Sequence, residues 1–350
     1  MVKISHSIFS IFLFIFFLLF ENYAYAGCTV SGTVTKAKIT TEATAGNDVT
    51  TCDVSGLSDL SSVFINITGF NQDISAWDTS NVTTMASMFK GATNFNQDIS
   101  DWDVSSVTDM GYMFQNARAF NQDISDWDVS SVSRMWLMFY QASAFNNGGV
   151  ALTWTTSSLQ YPNYMFAQED SSAYIFNQDI GGWDMTKVLN SQGMFKGNTA
   201  FNIDIGSWDM GLTTAPSLMF AGATAFNQDI SDWDMSSATS FENMFNGASA
   251  FNNGGAALTW NTSSVLNMHQ AFVNATSFNQ NLGVWDVSNA TNVRMMLANT
   301  ALSTSNYDLL LVAWDALDLT DSLRFDTSAN YTGCSTAAIA RANIVSTDSW

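Results

Sequence analysis

Residues 95–114 read FNQDISDWDVSSVTDMGYMF, and nearly the same words return along most of the chain. The opening Phe recurs at Phe70, Phe95, Phe120, Phe145, Phe176, Phe201, Phe226, Phe251 and Phe278. The Trp recurs at Trp77, Trp102, Trp127, Trp154, Trp183, Trp208, Trp233, Trp260 and Trp285. A second Phe follows each Trp by 12 residues, from Phe89 to Phe272, with Leu297 in that place in the last unit. Most steps are 25 residues; the two long ones are 31 and 27. A fixed period of this size means units too small to bury their own apolar residues, which must stack on their copies.

The long steps have local causes. FNNGGVALTW (145–154) and FNNGGAALTW (251–260) each add two residues before the Trp, and the stretch 167–176, AQEDSSAYIF, adds four. No insertion falls between a Trp and the Phe that follows it, so that segment is the rigid part of the unit. Cys52–Phe64 aligns without a gap with Trp77–Phe89, Cys52 taking the Trp position. This predicts a degenerate capping unit, stapled by a Cys28–Cys52 disulfide if the chain is exported, with Cys334 left over.

The residues seven after the Trp include Thr84, Asp109, Asn190, Ser240, Asn267 and Asn292, which are helix N-cap types; Arg134, Tyr161 and Ala215 are exceptions. Pro162 and Pro216 follow directly, as a first helical residue allows. Gly91, Asn116, Gly197, Gly222, Gly247 and Asn274 suit the far end. Met85, Met88 and Phe89 between such limits have helical spacing, so each unit is predicted to hold a helix of under two turns. The Gln-Asp-Ile-Ser segment alternates and predicts a short strand with its Ile inward, paired in parallel with its copies. The expected fold is an α/β solenoid, strands on one face and helices on the other. Its parts are a signal peptide over 1–26, an N-terminal cap over 27–69, repeats over 70–302 and a helical cap over 303–350, in which 337–345 reads as a helix beside Trp314 and Tyr331.

The repeat F-N-Q-D-I-S-x-W-D-V-S-x-V-T-x-M-x-x-M-F resembles that of BspA-like bacterial surface proteins, a leucine-rich-repeat group, over roughly residues 52–302. The tail from Ser305 resembles that family's closing segment. The resemblance implies a leucine-rich-repeat-like solenoid on a secreted or surface-displayed binding protein with an adhesion-like role and no defined catalytic residues. The chain shows no evident wall-anchoring signal.

Lys3, the apolar run Ile8–Phe20 and Ala24-Tyr25-Ala26 form an export signal pattern, and no later segment is apolar enough to span a bilayer. Ala26-Gly27-Cys28 also resembles the end of a lipobox, with Tyr25 where an aliphatic residue belongs; lipid attachment at Cys28 is the rival expectation. Acidic residues number 31 against 11 basic, a net charge of −20, which opposes nucleic acid and anionic membranes.

Candidate chemistry is sparse. The exported chain would keep one His, His269, without a repeat mate, and no nucleophile–base pair or phosphate loop is recognisable. The Asp residues after each Trp and before each Ile recur in columns. Either they accept from the backbone and Ser/Thr hydroxyls of their own turns, or they hold a row of calcium ions, for which Asp73, Asp98 and Asp123 are the candidates. The Asn after each Phe is expected to form an internal ladder. Function in a repeat array is expected where units differ. Tyr112, Trp136, Leu137, Tyr140 and Tyr164 are such departures: either they bind protein or glycan, or they cover the core beside the insertion after Phe166. A binding module is the expected function; a structural spacer of the cell envelope and a secreted carbohydrate-active enzyme are the alternatives.

Overall fold

The computed structural model describes residues 28, 32–170, 174–317, 319, 325 and 336–347. The expected signal segment, Tyr331 and Cys334 lie outside them. Three α-helices are described: α1 (Lys36–Thr44), α2 (Thr304–Trp314) and α3 (Thr336–Thr347). Between α1 and α2 the repeats are built of turns, joined by single parallel bridges.

The predicted repeat helix is not there. Within one unit Met88 N–H donates to Met85 O, Lys90 N–H to Ser87 O and Ala92 N–H to Phe89 O, each closing a turn at 3.1, 3.2 and 2.9 Å. The intervening amides leave the unit. Met85, Ser87, Phe89 and Gly91 donate to Asp109, Gly111, Met113 and Gln115 of the next unit, at 2.7–3.0 Å. Alternate N–H groups thus close the unit's own turns and bind its neighbour. Ser87 and Gly91 take φ of 60° and 71°, the positive value of a type II turn's third residue. A helix this short nucleates poorly, whereas the inter-unit bonds run the length of the stack.

The N-cap chemistry is real but serves another turn. The side chains of Asp59, Asp109, Asn190 and Asn267 accept the N–H two residues on, at 2.7–3.0 Å. These are Asx turns, which draw on the same short polar side chains as N-caps. The parallel bridges run along this column, from Asp59 through Thr84, Asp109 and Arg134 to Tyr161, and resume at Asn190. The column is broken after Tyr161 and after Ala215, where Pro162 and Pro216 have no N–H to donate.

The predicted Gln-Asp-Ile-Ser strand is also absent. The Ile74 carbonyl accepts from Trp77 N–H at 3.1 Å and from the Trp102 indole Nε1 of the next unit at 3.2 Å. Its acceptor capacity goes to a turn and an indole rather than to a strand ladder. The same indole bond repeats from Trp77, which reaches Val49 O, to Trp285, which reaches Leu258 O.

Side-chain columns complete the stack. Phe89 lies 3.8 Å from Phe95 and 5.4 Å from Phe114 between ring centroids, and Trp77 and Trp102 are 4° from parallel. The expected Asn ladder is continuous: Asn71 Oδ1 accepts Asn96 N–H, and each copy accepts the next to Asn279, at 2.7–3.0 Å. Both Asn-Gly-Gly insertions fold into a 3₁₀ turn, Asn147–Gly149 and Asn253–Gly255. Buried Asn147 accepts Ile124 N–H at 2.9 Å and donates to Val150 O at 3.0 Å; Asn253 does the same with Ile230 and Ala256.

The ends are closed by helices. Thr35 caps α1, and Gly46 and Asn47 N–H return to Ala43 and Glu42 O as in a Schellman motif. Ile39 and Ala43 face the core, and Cys28 and Cys52 are joined in a disulfide. At the other end Asn279 Oδ1 accepts Ser303 N–H, and Ser303 caps α2, so the helix takes the next place on the Asn ladder. α3 packs on α2 through buried Ala337, Ala340 and Ile344.

Two outcomes follow. In a helix interior Ala is favoured over Gly by about 1 kcal/mol; at φ of 60° the order reverses. Ser87→Gly is therefore expected to be more stable than Ser87→Ala, by roughly 1 kcal/mol in chemical denaturation; the opposite order would mean the segment is helical. Asn147→Ala and Asn253→Ala each orphan a buried Ile N–H and a carbonyl, and each should cost roughly 2–4 kcal/mol, alike at both sites.

Candidate ligand-binding surface

The five residues expected to bind a ligand fall into two groups. Tyr112, Leu137 and Tyr164 occupy one column, ten after their Trp, with φ of 61°, 52° and 55°. Gly193, in the same column two units after Leu137, has φ of 61°. The backbone demands the left-handed region there, and large side chains hold it at a cost of about 1–2 kcal/mol each.

Tyr112 and Trp136 belong to a row. Their ring centroids are 6.4 Å apart, and Trp136 lies 6.1 Å from Tyr161. Lys90 Nζ sits 4.8 Å over Tyr112, and the Arg134 guanidinium 5.9 Å from the Trp136 ring. Arg134 also reaches Asp109 at 3.5 Å. The indole of Trp136 lies on Gly111, where an added Cβ would collide with it. The rings are half-buried.

Tyr140 and Tyr164 turn toward the insertion. Tyr140 donates its hydroxyl to Glu169 at 2.6 Å, and Lys196 Nζ pairs with the other Glu169 oxygen at 2.5 Å. Arg118, two units earlier, pairs with Asp170 at 2.8 Å, and Gln168 donates to Asp170. The Lys196 ammonium first, then the Tyr140 hydroxyl, hold Glu169 below the usual carboxylate range; burial, then Glu169, push the Tyr140 phenol up. Tyr164 lies over Gly193, and Tyr174 is buried beneath, donating to Phe139 O at 3.1 Å. Tyr140 is thus tied to the insertion, while Tyr164 packs on Gly193 of the next unit.

Sequence reasoning passed over Lys90, Gly111, Arg134 and Tyr161. Two of these had a signal: Arg134 and Tyr161 break the Asp/Asn/Ser/Thr column.

The Asp columns are spoken for by their own turns. Asp73 and Asp98 each accept the N–H and hydroxyl of the Ser two residues on, and Asp123 does so with Ser125 at 3.0 and 2.7 Å. Among the described residues no three His, Cys, Asp or Glu side chains converge to hold a metal ion. The candidate calcium ligands are thus turn-forming residues with one outward oxygen.

A family model described as "Mycoplasma protein of unknown function, DUF285" matches residues 33–152, 148–258 and 256–325. The chain belongs to the DUF285 family. No curated protein matches it, and no solved structure does. The DUF285 matches meet at 148–152 and 256–258, within the two Asn-Gly-Gly insertions. One DUF285 match between those insertions therefore spans the units that open with Phe176, Phe201 and Phe226, and the row Lys90–Tyr161 straddles the first junction.

The turn bonds set the acid response of this DUF285 chain. In Asp73, Asp78, Asp184, Asp229 and Asp234 the Ser or Thr hydroxyl first, then the backbone N–H, hold the carboxyl below its ordinary value. Groups depressed in the folded state stabilise fully above their unfolded pKa, about 3.9, and lose that contribution as pH falls through the lower folded value. The melting temperature should be level from pH 7 to about 5 and fall below about 4. A rise on acidification would show that repulsion among the stacked carboxylates outweighs their turns.

Proposed function

We propose that this chain is an exported, surface-displayed, non-catalytic binding protein, whose repeats form a solenoid that carries a recognition site for protein or glycan. The observation that carries this is the row Lys90–Tyr112–Trp136–Tyr161, where the shared columns give way to large half-buried rings. The resemblance of the repeat to BspA-like surface proteins supports the same class, although the turns depart from leucine-rich-repeat strands and helices. A disulfide between Cys28 and Cys52 fits an oxidising location, and it occupies the sulfur that a lipid anchor would need.

A structural spacer is the second reading, favoured by the unbroken Asn ladder. The two separate in one experiment. The mature chain and a Tyr112→Ala/Trp136→Ala/Tyr161→Ala variant are passed over immobilised cell-surface extracts. Retention of the parent, falling at least tenfold in a variant with unchanged melting temperature, is expected. Equal retention would remove the row from the site, and no retention of either would favour the spacer.

A further inference from the structure

We infer that the row Tyr112–Trp136–Tyr161 takes a short oligosaccharide bearing acidic groups, with Trp136 as its central stacking platform. This rests on the proposed recognition role of the same surface.

Trp136 differs from the other repeat tryptophans. The indole N–H groups of Trp77, Trp102, Trp127, Trp154, Trp183, Trp208, Trp233, Trp260 and Trp285 all donate to a buried carbonyl of the preceding unit, at 2.8–3.2 Å. Trp136 stands outside that ladder. The Nε1–Cδ1 edge of its ring lies so close to Gly111 that no side chain would fit between them. An indole joins an apolar face to a polar N–H edge. A pyranose asks for this pairing: its C–H face stacks on a ring while its hydroxyls seek donors and acceptors at the ring's edge.

The shape of the row favours a narrow ligand. Adjacent rings are tilted by 58° and 49°, so they present successive faces rather than one flat patch. A stable protein partner buries about 800 Å² per side around an apolar centre. Among the described residues the most exposed large apolar side chains, Ile339, Val284, Leu212 and Leu309, lie in later units or the C-terminal helices. Half-buried rings in a file suit a chain of sugars better than a broad protein face.

Charge selects an acidic sugar. The chain carries −20 overall, which repels anions from most of its surface. Lys90 and Arg134 stand on the rings of the row itself. Arg134 is half exposed and meets Asp109 only at 3.5 Å, so its fork of donors is largely open to a carboxylate or sulfate.

The test titrates the mature chain, by calorimetry and tryptophan fluorescence, with hyaluronan, chondroitin sulfate and heparin tetrasaccharides, neutral chitotetraose, and an Asp/Glu-rich decapeptide. At least one acidic tetrasaccharide should bind with a dissociation constant below about 1 mM, and chitotetraose at least tenfold more weakly. Trp136→Ala should abolish binding. Gly111→Ala keeps every ring but displaces the indole, and should weaken binding at least tenfold with the melting temperature little changed. Arg134→Gln should weaken the acidic probe and leave the neutral one unaffected. Binding of none of the acidic tetrasaccharides overturns the inference, as does equal affinity for chitotetraose or tighter binding of the decapeptide. If the sugars fail while the extract still retains the parent and not the triple variant, the recognition site stands and only its ligand class is wrong.

Discussion

The structure depends on how each unit divides its backbone amides. Half of those between Met85 and Ala92 close turns inside the unit and half are given to the next unit. A lone unit would leave its outward amides to water and its Phe, Trp and Met side chains exposed. Neither fault is mended by a better sequence within the unit; only a neighbour mends it. Between Met85 and Gly91 the outward amides go to the following unit, whereas Thr83 and Asn94 donate back to Ser58 and Thr68 of the preceding one, so the two ends of the stack expose different groups. Each is closed in its own way: α1 and a disulfide at one end, a helix seated on the last Asn of the ladder at the other.

Stacking identical residues has an electrostatic consequence. Two carboxylates about 5 Å apart repel by about 1 kcal/mol in water, and more where water is partly excluded. The columns tolerate this because each Asp is occupied locally. For Asp98 the Ser100 backbone and hydroxyl bonds outweigh the neighbouring charge of Asp73, and for Asp53 the Ser55 bonds outweigh that of Asp78. The Asp-x-Ser word therefore reads as turn chemistry strong enough to be repeated in register, and the residual negative field is what makes a local pair of cations such as Lys90 and Arg134 conspicuous.

The period, the inward columns and the Asn ladder were legible because each is a statement about identity recurring at a fixed interval. Local backbone conformation was not. Asp109 and Asn267 suit an N-cap and an Asx turn equally, since both ask a short polar side chain to accept a nearby N–H. Gly91 and Gly197 suit a helix C-cap and a type II turn equally, since both ask for positive φ. Met85, Met88 and Phe89 point inward from a helix or from successive turns. What decides among these is the destination of the intervening amides, and that lies in the next unit. The Ile alternation misled for the same reason: its carbonyl is taken by an indole 28 residues away, which no window over one unit can show. At the candidate site, Tyr112 and Trp136 stood out as departures, while the attachment of Tyr140 to Glu169 depended on how the insertion folds back.

Where the repeat departs from itself, one group of departures brings rings and cations together. The left-handed position ten after the Trp holds Ser87 early, Gly193 midway, and Leu218, Asn243, Gln270 and Met295 in the later units. Tyr112, Leu137 and Tyr164 occupy it in three successive units, and Trp136 appears in the adjoining column just where Gly111 leaves room for its ring. Bulk at that column is not peculiar to this stretch, since Leu218 and Met295 share it; what sets the stretch apart is the fit of the Trp136 indole against Gly111 with Arg134 nearby. The partly buried ring, the glycine against its Nε1–Cδ1 edge and the nearby cation form one arrangement, and the stack on either side holds that arrangement in place.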